Sequence, residues 1–357
     1  MIWLDITDPK YVLFFKSLIP LLKQLDSVLV TTRKSKNYDE CAELLKLFNI
    51  DSITIGGYGG IHKIDKLKAR LSRQEEFLKL FKKIGVPKIF ITGVSVEGTQ
   101  TAFGLGIPII QFSDTPIIGY KPKPELLSIV ARLTLPLSTL IFYPFVLPQK
   151  CFTLLGLLEE NLIAYNFIDV ALWLKNMPQG KDFRDTYQLD KSRPTILIRE
   201  EEYQAHYVKT KLPIIYESIH KLNQLDVNLV IMPRYGDQML QENFGTLKNV
   251  FILQEKLPPQ NFYPYINLLI GGGGTMNLEA CYLGIPTIST RSLFLFHDKY
   301  LLRNKLMLHC KSSDEVFYHA KKLLQKNNIR QNNSKFFEKS PADFKDIFLT
   351  IKNRFYD

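Results

Sequence analysis

Short apolar runs alternate along this chain with longer stretches in which apolar residues recur every three or four positions. In the first half the runs are IWLDI, SVLVTT, DSITI, KIFIT and IPIIQF. Their apolar positions are mostly consecutive, which is the pattern of strands in a parallel sheet covered on both faces. Between them, YVLFFKSLIPLLKQL and YDECAELLKLF carry the helical period. The second half repeats the scheme with PTILIR, VNLVIM, NVFIL, INLLI and IPTIS around LPIIYESIHKLNQL, and ADFKDIFLTIKNRFY reads as a closing amphipathic helix. Strand and helix interleave throughout, so the pattern predicts an α/β protein with parallel sheets. The most apolar stretch, Leu133 to Pro148, is shorter than the roughly 20 residues of a spanning helix and holds Pro136, Pro144 and Pro148. It is expected to form a buried strand and loop. The segment from about Tyr143 to Arg193 is less regular and is expected to carry the crossing between domains.

An internal repeat sets the architecture. Ile91–Ile110 and Ile270–Ser289 share a strand, a glycine-containing turn, a helix and the tetrapeptide L-G-I-P. Superposing that tetrapeptide pairs Gly106, Ile107 and Pro108 with Gly284, Ile285 and Pro286, an offset of half the chain, and also pairs Ala102 with Ala280 and Gly93 with Gly271. The proline stops the helix and starts the next strand. Two α/β domains follow, with ligands expected outside the carboxyl ends of the strands.

Positions that differ between the copies carry more information than those that agree. Where the first copy reads GVSVEGTQT, the second reads GGGGTMNLE, so Gly271, Gly272, Gly273 and Gly274 open only the second helix. Turn geometry does not need four glycines. Bare backbone lets a diphosphate approach the amides, and a helix N-terminus favours the anion. Thr275 adds a hydroxyl donor, and Glu279, which replaces Thr101 of the first copy, is placed to accept two ribose hydroxyls. The plainer reading is that the glycines serve close packing and Glu279 is a solvated helix residue.

These residues resemble the Gly-Gly-x-x-x-E-A-x-x-x-G-x-P element of GT-B glycosyltransferases and of the UDP-N-acetylglucosamine 2-epimerase fold. More closely, the chain resembles the family catalogued as domain of unknown function 354. The resemblance runs in order through LDITDPKYVLFFK, GGYGGIHKIDKLKAR, TAFGLGIPIIQFSD, RLTLPLS, ILIREEEYQAHY, IMPRYGDQ and GGGGTMNLEACYLGIPTIS. It implies a GT-B-like fold of two Rossmann-like domains facing a central cleft, with a C-terminal closing helix. The expected division is an acceptor domain over 1–150, a nucleotide-sugar-binding domain over 151–335 and the helix over 336–357. By position the resemblance brings Arg199 and Arg234 to strand ends, where both can pair with phosphate oxygens. Where epimerase-like relatives carry a catalytic histidine, this chain has Arg199 followed by Glu200. The family's N-P-P-H-V-H is also missing: Lys10, Tyr11 and Leu13 follow Pro9, so no histidine base is expected there.

The chemistry these features imply is an inverting, metal-independent sugar transfer from a nucleotide-diphosphate sugar such as a UDP-sugar, which needs one general base and stabilisation of the departing diphosphate. Asp114, after the strand that follows the first L-G-I-P, is the first choice of base, with Glu97 and Asp8 behind it. Each has a bland alternative as a turn or N-cap residue. A second glutamate before Glu279, as in retaining enzymes, is absent, and there is no D-x-D triplet. The alternatives are a sugar-nucleotide epimerase and a non-catalytic nucleotide-sugar binder.

Composition narrows this little. The 357 residues are 46% hydrophobic and 23% charged, which fits two globular domains. The net charge of +11 favours anionic partners: nucleotide sugars, an anionic or lipid-linked acceptor, or a peripheral contact of the basic segment His62–Arg73 with a membrane, although an ordinary solvated helix explains that segment as well. Nucleic acid is not expected, because no basic run is interleaved with stacking aromatics. Cys41, Cys151, Cys281 and Cys310 form no C-x-x-C pair and the six histidines show no ligand spacing. No structural metal, disulfide or cofactor is therefore expected, and a reducing cytoplasm fits. The opening MIWLDITDPK lacks a signal-peptide pattern. A homodimer is what epimerase relatives would lead one to expect.

Overall fold

A computed structural model describes residues 1–35, 39–60, 62–201, 212–234, 236–255, 257–325 and 330–357. Ile61, residues 202–207 of the ILIREEEYQAHY segment, and Tyr235 lie outside the described residues. The chain forms two compact units, Met1–Leu172 with Ser340–Asp357, and Trp173–Lys339.

In the first unit the strands are β1 (Ile2–Ile6), β2 (Val28–Thr32), β3 (Ile53–Thr54), β4 (Ile89–Thr92), β5 (Ile109–Phe112), β6 (Leu140–Pro144) and β7 (Leu162–Tyr165). They form a parallel sheet in the order β3-β2-β1-β4-β5-β6-β7. The second unit has β8 (Thr195–Arg199), β9 (Asn228–Met232), β10 (Val250–Ile252), β11 (Leu268–Gly271), β12 (Thr287–Ser289) and β13 (Leu308–His309). These are also parallel, in the order β10-β9-β8-β11-β12-β13. Every run read as a strand from its apolar pattern is one, including that within Leu133–Pro148, which is buried β6. The stretch YVLFFKSLIPLLKQL is not one helix but two, Pro9–Phe15 and Ile19–Leu22, with Pro20 in the first turn of the second; proline cannot sit in a helix interior.

The units divide after Leu172 and not after residue 150, because β7 extends the first sheet beyond β6. The closing helix, Lys345–Phe355, belongs to the first unit. Just ahead of it Phe344, 2% exposed, packs edge-on against Phe14 with ring centroids 5.0 Å apart and touches Phe112 and Phe167.

The two copies of the repeat fold alike. Gly106 and Gly284 adopt φ of 69° and 71°, a left-handed backbone that glycine alone takes without strain. The amides of Ile107 and Ile285 donate to the carbonyls of Ala102 and Ala280, each at 2.9 Å. The register differs by one residue at the strand ends. Thr92 pairs with Gln111, while Gly271 pairs with Ser289. Gly271 thus matches Thr92 in space rather than Gly93, and the first turn is one residue longer. The extra residue makes room for an aromatic ring: a Cβ on Gly93 would lie 2.3 Å from the ring of Tyr11.

Both sheets reverse winding direction beside their first strand, between β1 and β4 and between β8 and β11. Loops at such switch points form ligand sites in doubly wound sheets. In the first unit Trp3 anchors the core on one side of β1, with Phe77, Phe81 and Phe90 at ring distances of 4.7, 4.9 and 4.2 Å. Arg73 ties the long helix Lys63–Ile84 to β1 by a two-point ion pair with Asp5, at 2.9 and 2.7 Å, both side chains being buried. No described helix is long and apolar enough to cross a membrane.

Candidate functional site

In the second unit the four glycines run from the end of β11 into the helix Gly274–Tyr282. None has a positive φ, so glycine is needed there for space and not for backbone conformation. The space is used in two ways. A Cβ on Gly271 would lie 1.9 Å from Asn277 Oδ1, and one on Gly272 would lie 2.6 Å from the backbone of Glu201. At these two, close packing leaves no room for a side chain. A Cβ on Gly273 or Gly274 would meet only a guanidinium, of Arg234 at 2.9 Å or of Arg291 at 3.1 Å.

The start of this helix differs from its counterpart in the first unit. There Ser95 caps the helix Val96–Gly104 by accepting from the Gly98 amide at 3.0 Å. Here the N-cap is Gly273 and no side chain caps the first turn, so the leading amides keep their positive end for another acceptor. Gly271 to Gly273 are buried, Gly274 is half-buried and Thr275 is exposed. Two guanidiniums and the uncapped first turn of a helix thus meet at a turn without side chains, an arrangement suited to a phosphate group.

The expected arginines part company. The Arg199 guanidinium donates to the carbonyls of Met232 and Pro233, bridging the ends of β8 and β9. Arg234 is held by Glu200, whose carboxylate accepts from its backbone amide at 2.9 Å and whose carbonyl accepts from Nε at 3.3 Å. Arg291, which sequence reading missed, follows β12 and is oriented by Asp298 at 2.8 Å. The repeat offset maps it onto Ser113, so comparing the copies one strand further would have found it. Glu201 joins the β8 loop to the β12 loop, accepting from the amide and hydroxyl of Ser292 at 2.7 and 2.5 Å.

Glu279 is not a solvated helix residue. It is 5% exposed, with one carboxylate oxygen accepting from Trp173 Nε1 at 2.8 Å and the other from the Tyr263 hydroxyl at 2.6 Å. Burial raises its pKa above the ordinary glutamate value, against the pull of those two donors. A bidentate ribose contact requires Trp173 or Tyr263 to exchange.

The three carboxylates singled out in the first unit have different surroundings. Asp8 is an N-cap, accepting from the Lys10 amide at 2.9 Å at the start of the helix Pro9–Phe15, and burial raises its pKa. Glu97 is buried beside Arg73 at 3.5 Å and Arg70 at 3.6 Å, part of the cluster around Asp5. Asp114 is half-buried and lies 2.5 Å from the ammonium of Lys10. Lys10 also lies 2.5 Å from Asp169, whose other oxygen accepts from the Tyr165 hydroxyl at 2.5 Å. Burial opposes the charge on Lys10, but the two carboxylates outweigh it and hold the ammonium well above the ordinary lysine range. Lys10 and Asp169 were not among the expected site residues. Three segments far apart in sequence, following β1, β5 and β7, thus bring two acids and a lysine together.

A family model described as "Protein of unknown function (DUF354)" matches residues 1–349. An uncharacterized protein of Methanocaldococcus jannaschii is 29% identical over 334 residues, which cover 91% of this chain and 92% of that one. Among solved structures, the UDP-GlcNAc 2-epimerase from Neisseria meningitidis bound to UDP-GlcNAc superposes with a TM-score of 0.71 at 13% identity, covering 99% of this chain and 98% of that one. The glycotransferase of kitacinnamycin gives 0.67 at 13% identity, with the same coverage. The two doubly wound units are therefore of the GT-B type, and the chain belongs to the DUF354 family.

Proposed function

We propose that the second unit binds a nucleoside-diphosphate sugar and that the protein is an inverting glycosyltransferase acting without a metal. The observation that carries this reading is the uncapped start of the Gly274–Tyr282 helix, where Gly273 and Gly274 face Arg234 and Arg291. Two guanidiniums and free amides suffice to hold a diphosphate and to stabilise the charge it gains on leaving. In the single displacement, the acceptor oxygen bonds to the anomeric carbon as the bond to the diphosphate breaks, and the acceptor proton passes to Asp114. Lys10, 2.5 Å from the Asp114 carboxylate, holds that group in position. Support for a sugar nucleotide also comes from the solved structures of like fold, which include a UDP-GlcNAc 2-epimerase bound to UDP-GlcNAc and a glycotransferase.

A second reading, a sugar-nucleotide epimerase, is favoured by the pairing of Asp114 and Asp169 around Lys10, since an isomerase needs more than one proton-transfer group. Calorimetry with UDP, GDP, CDP and TDP and their sugars, on the wild type and on Arg291→Ala, tests the binding site. Saturable binding weakened in the variant supports it, and binding unchanged by the substitution removes it. NMR of the bound sugar nucleotide incubated alone then separates the reactions: an epimerase alters the sugar, whereas a transferase leaves it intact or slowly hydrolyses it.

A further inference from the structure

The helix Lys63–Ile84 gives Arg73, Phe77 and Phe81 to the interior of the first unit and leaves its opposite side uncovered. On that side Ile64 is 70% exposed, Leu67 56% and Leu71 58%. Their spacing of three and four residues sets them in one row. Lys63 and Lys68, both exposed, flank the row on its two sides, while the charge of Arg70 is met by Glu97. The helix packs beside Val96–Gly104, which in turn packs beside Ile129–Thr134, where Ile129 and Val130 are also exposed. A lone exposed leucine is ordinary. A row of large apolar side chains edged by lysines, one helix away from a second exposed apolar pair, is the pattern of a helix lying in a lipid interface.

We propose that this face of the first unit docks on an anionic bilayer, with Ile64, Leu67 and Leu71 entering the interfacial layer and Lys63 and Lys68 meeting headgroup phosphates. Charge argues against a second copy of the chain as occupant. In a two-fold dimer a patch faces itself, which here would set lysines against lysines. The strands are parallel and the helix follows β3, so its amino end lies at the carboxyl edge of the first sheet, the edge that bears Lys10 and Asp114. A lipid-borne acceptor would then be presented on the side of Asp114. That consequence rests on the proposed transfer reaction; the docking itself does not.

The test is flotation of the full chain with phosphatidylcholine vesicles, with and without phosphatidylglycerol, comparing the wild type with Leu67→Ser/Leu71→Ser and Lys63→Glu/Lys68→Glu. The wild type is expected to float only with the anionic vesicles and to be released at about 1 M salt, where the Debye length falls to about 3 Å. Each double variant is expected to lower partition about ten-fold or more, with thermal unfolding unchanged, because all four positions are surface ones. The proposal is overturned if the wild type does not float, if it floats equally with neutral vesicles, or if both variants float like the wild type. A wild-type dimer turned monomeric by Leu67→Ser/Leu71→Ser, with no flotation, would assign the face to a second copy. Nucleotide calorimetry on the same variants keeps the two ideas apart, since docking can fail while diphosphate binding stands.

Discussion

The four glycines of the second unit stand in two kinds of surrounding, and alanine scanning separates them. Alanine at Gly272 sets a methyl 2.6 Å from Glu201 backbone atoms, which have no side-chain rotation by which to retreat. Overpacking of this kind costs about 1–3 kcal/mol, and for a unit of this size each kcal/mol lowers the melting temperature by roughly 2–4 °C. Alanine at Gly273 meets only the far end of the Arg234 side chain, at 2.9 Å, and its φ of −110° suits any residue. The fold loses about 0.5–1 kcal/mol there, because alanine is a poorer N-cap than glycine. The guanidinium, however, is pushed off the turn. Losing one charge-assisted hydrogen bond costs about 1.5–3 kcal/mol, so the nucleoside diphosphate should bind about 10- to 150-fold more weakly. Thermal unfolding and calorimetry on both variants give the comparison: Gly272→Ala should melt several degrees low, and Gly273→Ala should melt near the wild type but bind poorly. Wild-type affinity in Gly273→Ala would refute the anion-cradle reasoning, and an undisturbed melting temperature in Gly272→Ala would refute the packing argument.

Three other outcomes follow from the buried charges. Arg73→Met strands Asp5 without its cation and should cost about 3–5 kcal/mol in chemical denaturation, with Asp5→Asn/Arg73→Met recovering part of the loss; a loss below 1 kcal/mol would show the pair to be dispensable. Lys10→Met removes the cation shared by Asp114 and Asp169 and should lower kcat of the proposed transfer by roughly ten-fold or more with nucleotide binding unchanged; an unchanged kcat takes Lys10 out of the mechanism. Glu279 binds its proton more tightly folded than unfolded, so its contribution to stability is present below the ordinary glutamate pKa and is lost as pH rises through the raised folded value. Unfolding curves of Glu279→Gln should lack that decline, and identical slopes in the two proteins would contradict the burial argument.

The sheets were legible because parallel strands buried on both faces are continuous apolar runs, and the repeat was legible because Gly106 and Gly284 must both be left-handed. The short edge strand β13 escaped notice, since Leu308–His309 offers no run. The glycine turn was found by comparing the copies. The comparison could not reveal that Gly271 and Gly272 are packing residues, because the atoms they admit come from Asn277 and Glu201. Asp8 and Glu97 looked like Asp114 in sequence, each a carboxylate near a strand end; only the fold shows that one caps a helix and another answers two arginines. Asp169 lay in the irregular segment, where no periodicity points to a side chain, and Lys10 drew attention only as the residue standing where a histidine was expected.

The return of the C-terminal segment also bears on the order in which the protein matures on the ribosome. The second unit is continuous in sequence, whereas the first waits for residues 340–357. Until then Phe14, Phe112 and Phe167 lack their contact with Phe344, and this aromatic surface stays open to solvent or to a chaperone. The part of the chain translated first is therefore the part finished last, and a chain cut just short of Phe344 would keep the whole second unit but leave the first one incomplete.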